Sequence, residues 1–200
     1  MDTFLTLFGV TALAFASTNL DNLLLLVGWR LGRVSATGQL FVGYVLGMLG
    51  VLLLAILIGL VGYLFPLEYL GYLGVVPIVL GLRLLLEQLR SGGEVQMSVA
   101  DAPRSASAAG VLALASTQLS NGVDTVLVFA PLLADSRLIF DAQIAALFLV
   151  LMLLWFGLAQ ILSAHAARLP AIARLGNWLA PLVMIGVGLY ILGNTATDMS

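Results

Sequence analysis

The sequence predicts an all-α polytopic membrane protein, with six transmembrane helices arranged as two inverted three-helix repeats. Three observations predict it. First, 62% of the 200 residues are hydrophobic and only 9% are charged, with mean hydropathy +1.13. Soluble domains carry about 25% charged residues, so this chain cannot cover a water-facing surface, whereas lipid asks for no such cover. Second, six apolar runs can be drawn, each long enough to cross about 30 Å of hydrocarbon as a helix. Third, a polar stretch inside the first run, Ala16-Ser17-Thr18-Asn19-Leu20-Asp21-Asn22, is echoed in the second half by Ala115-Ser116-Thr117-Gln118-Leu119-Ser120-Asn121-Gly122-Val123-Asp124-Thr125.

The runs cover 3–29, 38–63, 67–88, 107–132, 139–164 and 172–193. Helix is the expected form, because every backbone N–H and C=O in hydrocarbon must be paired within its segment. The strands of a membrane barrel would alternate polar and apolar residues, and Leu23-Leu24-Leu25-Leu26-Val27 and Leu147 to Leu154 do not. Ala14-Phe15-Ala16 looks like a signal-peptide cleavage site, yet the residues before it carry only Asp2 in place of a positive n-region. The first run is therefore expected to stay as a structural unit.

Residues 90–106 are polar, contain Gly92-Gly93 and lack apolar periodicity, so they read as a cytoplasmic linker. They divide the chain into a first repeat, 1–89, and a second, 107–200, of three runs each. An odd number of crossings reverses the second half, which is the arrangement of an inverted-repeat transporter. Ala16-Ser17-Thr18 matches Ala115-Ser116-Thr117, and Leu70-Gly71 through Pro77 resembles Leu175-Gly176 through Pro181 with a one-residue gap. Pro77 and Pro181 are each expected to free a carbonyl and kink a helix.

With the N-terminus outside, Arg30, Arg33, Arg90, Arg104, Arg168 and Arg174 fall on cytoplasmic connections and only Arg137 outside. Positive residues favour the cytoplasmic side in short loops, so both termini are expected outside, in a cell membrane. Tyr63, Phe65, Tyr69 and Tyr72 read as an interfacial aromatic belt at an outer turn.

Composition also excludes partners and chemistries. The net charge is −2 and no basic patch exists to hold phosphates, so nucleic acid is not an expected partner. The lipid bilayer is, and assembly of several copies is left open. The absence of cysteine excludes disulfides, thiolate metal sites and dithiol redox chemistry. No nucleophile–base pair is present, so an enzyme is not expected, nor is a bound cofactor.

Asp21 and Asp124 are the acidic residues well inside apolar segments, one in the first segment of each half. A carboxylate at bilayer depth costs at least ~2.5–3.5 kcal/mol, and intramembrane ionisable residues mark ion or substrate pathways. Asn19, Asn22, Asn121, Thr125, Thr18 and Thr117 add side-chain oxygens nearby, and Gly122 is expected to give the second break a backbone conformation closed to other residues. Two carboxylates with amide and hydroxyl oxygens suit a divalent cation, carried as substrate. The candidate metal ligands are Asp21, Asp124, Asn19, Asn22, Asn121 and Thr125. Plainer readings stand beside this one. Asp21 can be interfacial, Asp124 can bond Ser120 or Thr125, and each Asn or Thr can join helices. Arg83 and Glu87 read as a pair at a helix end, His165 as interfacial, Gln160 as a helix contact, and Gly43, Gly47 and Gly50 as close-packing positions. One geometric demand follows. Both aspartates lie about two-thirds along oppositely directed segments, so they share an ion only if the helices are broken, tilted or shifted.

Thr18-Asn19-Leu20-Asp21-Asn22-Leu23 resembles the Thr-x-Ile-Asp-Asp-Leu signature in the first helix of the cadmium-resistance (CadD-like) transporters. Ser120-Asn121-Gly122-Val123-Asp124-Thr125, followed by Phe129-Ala130-Pro131-Leu132, resembles that family's Ala-Asn-Gly-x-Asp-Asn segment. Leu73 through Gly81 resembles its third helix. The resemblance implies an efflux carrier for a divalent metal, related to the LysE-type exporters, with cation contact at Asp21, Asn121 and Asp124. Asn22 stands where the family has a second Asp, and Thr125 where it has Asn. Two other functions remain open at this point: a LysE-type exporter of an amino acid or other organic cation, and a membrane scaffold or assembly subunit.

Overall fold

A computed structural model describes residues 2–31, 37–62, 71–90, 108–134, 138–165 and 169–197. Among them every element is helical. In chain order these are α1 (Asp2–Thr18), α2 (Leu20–Leu31), α3 (Thr37–Gly62), a 3₁₀ turn (Gly71–Gly74), α4 (Val75–Arg90), α5 (Ala108–Asn121), α6 (Val123–Ala134), α7 (Leu138–Ser163) and α8 (Leu169–Thr197). The predicted all-α membrane class holds. Thr37–Val61, Tyr72–Arg90 and Asp141–Ser163 are long and apolar enough to cross a membrane, and α1 with α2 and α5 with α6 qualify as two bent pairs. The sixth predicted run corresponds to α8, whose described apolar stretch is Trp178–Gly193.

Two pairs of elements repeat their lengths between the halves. α2 and α6 each have 12 residues, and α3 and α7 each have 26. The halves also repeat their packing. α3 lies along both parts of α5–α6, and α7 lies along both parts of α1–α2, so each half's long helix braces the other half's broken one. α1 touches α6 while α2 touches α5, which is the pairing of two broken helices crossing in antiparallel sense. α4 packs against α8. Exchanging the halves maps the first four of these contacts onto one another in pairs and the α4–α8 contact onto itself.

Small residues set the closest approaches, as expected where lipid gives helices no hydrophobic reason to associate. A Cβ added to Gly43 would lie 2.6 Å from Leu114 Cβ, and one on Gly47 would lie 2.5 Å from Gln118 Cβ. Gly81 faces the Pro181 carbonyl with only 2.6 Å for such an atom. Between the breaks and the long helices lies an aromatic core. Phe15 meets Phe148 and Trp155 edge-on at 5.0 and 5.6 Å, and Phe129 meets Phe148 at 5.1 Å.

Two sequence expectations change. Pro77 does not kink a helix interior. It is the third residue of α4, where a missing N–H breaks no intrahelical bond. Pro181, by contrast, lies inside α8. Matching Ala16-Ser17-Thr18 to Ala115-Ser116-Thr117 is also not the structural register. That match would pair Asp21 with Ser120, whereas aligning the helix ends pairs Asn19 with Gly122 and Asp21 with Asp124, a shift of about one helical turn.

The expected pairing of Arg83 with Glu87 stands. Arg83 Nε and Glu87 Oε1 form an exposed ion pair at 2.8 Å. His165 is exposed, with Nδ1 3.1 Å from the Ile161 carbonyl. Gln160 makes no such helix-joining bond through its amide nitrogen, which is buried without a partner. Residues 91–107, Arg33, Arg104, Arg137, Arg168, Tyr63, Phe65 and Tyr69 lie outside the described residues.

Candidate metal centre

The centre forms where the two broken helices cross. α1 and α2 meet at 51°, and α5 and α6 at 60°. The single residues between them are Asn19 and Gly122, both poor helix formers. The bends keep the same backbone bonds. Asn19 N donates to Phe15 O and Leu23 N to Asn19 O, both at 3.0 Å; Gly122 N donates to Gln118 O and Val126 N to Gly122 O, also at 3.0 Å. Two residues past each bend comes an aspartate, and it caps the new helix in the same way. Asn22 N donates to Asp21 Oδ1 at 2.8 Å, and Thr125 N donates to Asp124 Oδ1 at 2.8 Å. A carboxylate in the first turn satisfies an orphan donor and is favoured by the helix dipole.

This repeated motif meets the demand that straight helices fail. Asn121 Nδ2 donates to Asn22 Oδ1 at 2.6 Å, joining the breaks side chain to side chain. The Asn121 amide also lies close to the Asp21 carboxylate, and Asp21 and Asp124 are close enough to interact electrostatically. Asp21 is exposed and Asp124 partly exposed. Like charges at this range repel, and a cation between them removes the repulsion.

The remaining candidates sit behind the carboxylates. Asn19, Asn22, Thr18 and Thr125 are fully buried. Asn22 Nδ2 donates to Asn19 Oδ1 at 2.8 Å, and Asn19 Nδ2 donates to the Phe15 carbonyl at 3.0 Å and to Thr18 Oγ1 at 3.1 Å. Thr125 Oγ1 donates to the Thr18 carbonyl at 3.4 Å, across the two halves. The structure thus brings all six predicted residues into one cluster. It places Asn19, Asn22 and Thr125 in a hydrogen-bonded net and leaves the two carboxylates reachable. Among the described residues, no three His, Cys, Asp or Glu side chains come together as a metal cage.

Gly122 differs from its expected role. Its backbone is not in the left-handed region, and what it supplies is space: a Cβ there would collide with Val51 Cγ2. Two further residues touch the centre without having been singled out. Trp155 of α7 donates through Nε1 to the Asn19 carbonyl at 2.7 Å. Met48 of α3 has its sulfur 4.0 Å from Asn22 Nδ2 and 3.7 Å from Gln118 Nε2. An indole and a thioether in long apolar runs carry no polar signal. Gln118, one more polar side chain inside such a run, did.

No curated protein and no solved structure is similar enough to the chain to match it. The cadmium resistance transporter family does match, over residues 15–199, which include both breaks and the crossing between them. The chain is therefore a multi-pass membrane protein of transporter type. It belongs to the cadmium resistance transporter family.

Proposed function

We propose that this protein exports a divalent metal cation across the cell membrane, bound between Asp21 and Asp124. The observation that carries the proposal is the meeting of two identically capped breaks, joined by Asn121 to Asn22 at 2.6 Å. Two carboxylates balance one divalent charge. The hydrogen-bonded net of Asn19, Asn22, Asn121 and Thr125 holds them apart and adds amide and hydroxyl oxygens. Family membership favours a metal over an amino acid as cargo.

In this reading the halves are inverted repeats with both termini outside, and they rock about the crossing so that the site opens to one side at a time. Export is driven by proton antiport: a proton taken up by either aspartate from outside displaces the metal. The test is Cd²⁺ uptake into everted vesicles. Uptake should be lost in Asp21→Asn and in Asp124→Asn while both variants reach the membrane in normal amount. Unchanged uptake in both variants overturns the site. Misassembly of both, with no metal bound by the wild type, would support a scaffold instead. Uptake indifferent to an imposed pH gradient removes the antiport step alone.

A further inference from the structure

We infer that Met48 and Gln118 form a soft inner chamber of the cation site, into which a thiophilic divalent cation moves past Asn22. The inference rests on the site proposed above and adds its selectivity. Both residues are fully buried. The Met48 sulfur lies beside two carboxamides, 4.0 Å from Asn22 Nδ2 and 3.7 Å from Gln118 Nε2. Asn22 is itself tied to the Asp21 oxygen through its backbone and to Asn121 through its side chain. The thioether is therefore one amide group removed from the carboxylates.

A second observation concerns the other atom of the Gln118 carboxamide. Gln118 Oε1 is buried without a hydrogen-bond partner. Leaving such an acceptor unpaired costs about 1–3 kcal/mol, while an apolar residue of the same shape there is neutral or stabilising. Stability does not account for this glutamine. A cation does: the final torsion of a carboxamide is soft, and a half-turn of Gln118 replaces the N–H facing sulfur with an oxygen. Thioether sulfur is a soft donor, whereas carboxylate and amide oxygens suit hard ions such as manganese. In a chain without cysteine, Met48 is the donor at this centre that separates cadmium from a hard ion such as manganese. The flexible methionine side chain can follow the ion.

The test uses the full chain in detergent, with Cd²⁺ and Mn²⁺ as probes. Calorimetry gives the affinities, and X-ray absorption at the cadmium edge reads the bound atoms. The wild type should show a sulfur neighbour to cadmium. Met48→Leu should lose that neighbour and bind Cd²⁺ at least about tenfold more weakly, with Mn²⁺ binding unchanged. Gln118→Leu should weaken Cd²⁺ binding while its metal-free Tm stays level or rises. If Met48→Leu does not fold, the wild-type spectrum and Gln118→Leu decide. Cadmium held by oxygen and nitrogen alone, or equal weakening of both ions, overturns the chamber and leaves the carboxylate site intact. A metal-free Tm of Gln118→Leu that falls in step with binding likewise overturns it. A wild type that binds no Cd²⁺ overturns both.

Discussion

The first break is stitched and the second is bare. At Asn19 the side chain bonds Phe15 O and Thr18 Oγ1 and receives Asn22, and the backbone carbonyl accepts from Trp155. At Gly122 there is no side chain, and Val51 presses against the backbone. Yet both bends keep the same i→i−4 bonds and carry an aspartate capping the next residue at 2.8 Å. The same capped-aspartate geometry is thus reached twice, once by hydrogen bonding and once by close packing. What the repeats share is the carboxylate and its helix start; what they do not share is how the bend is held.

That contrast can be broken at several points. The largest effect is expected where the breaks agree. Asp21→Asn and Asp124→Asn should each cut metal export at least about tenfold, as loss of a metal-site residue does, measured in everted vesicles. If one retains wild-type export, the breaks are not functional equals. Next comes Gly122→Ala. Its added methyl collides with Val51 Cγ2, and overpacking typically costs about 1–3 kcal/mol. Gly122→Ala combined with Val51→Ala should recover most of that loss in Tm, which a backbone-conformation role for Gly122 would not allow.

Smaller changes sharpen the first break. Asn19→Ala takes from Asn22 Nδ2 its oxygen acceptor and should cost about 1–3 kcal/mol, read as Tm in detergent. No substitution of Val51 should rescue it. Trp155→Phe keeps the ring contact with Phe15 but drops one hydrogen bond, a loss of about 0.5–1.5 kcal/mol. Smallest of all, Arg83→Ala removes an exposed pair between side chains that are 74% and 54% accessible, and should leave both Tm and export essentially unchanged.

Much of this was legible in the sequence, for a physical reason. In hydrocarbon a carboxylate is costly, so Asp21 and Asp124 stand out against runs such as Leu23 to Val27. The membrane class and the six candidate ligands came from that contrast. The register of the repeat did not. Ala-Ser-Thr recurs one helical turn away from the structural match because small and hydroxyl residues suit many positions on a packed helix. Only the bends at Asn19 and Gly122 reveal which residues correspond. Trp155 and Met48 were also invisible: each is apolar enough to belong in a membrane run, and its role appears only once α7 and α3 are placed beside the breaks. Pro77 was misread because its effect depends on where the helix begins, and periodicity places helix ends poorly.

If Asp21 and Asp124 hold one ion together, equilibrium dialysis of the purified chain against labelled Cd²⁺ should count it. One ion per chain is expected in the wild type, and none at the same free concentration in either Asp21→Asn or Asp124→Asn. Two ions per chain, each lost by a different single substitution, would contradict it.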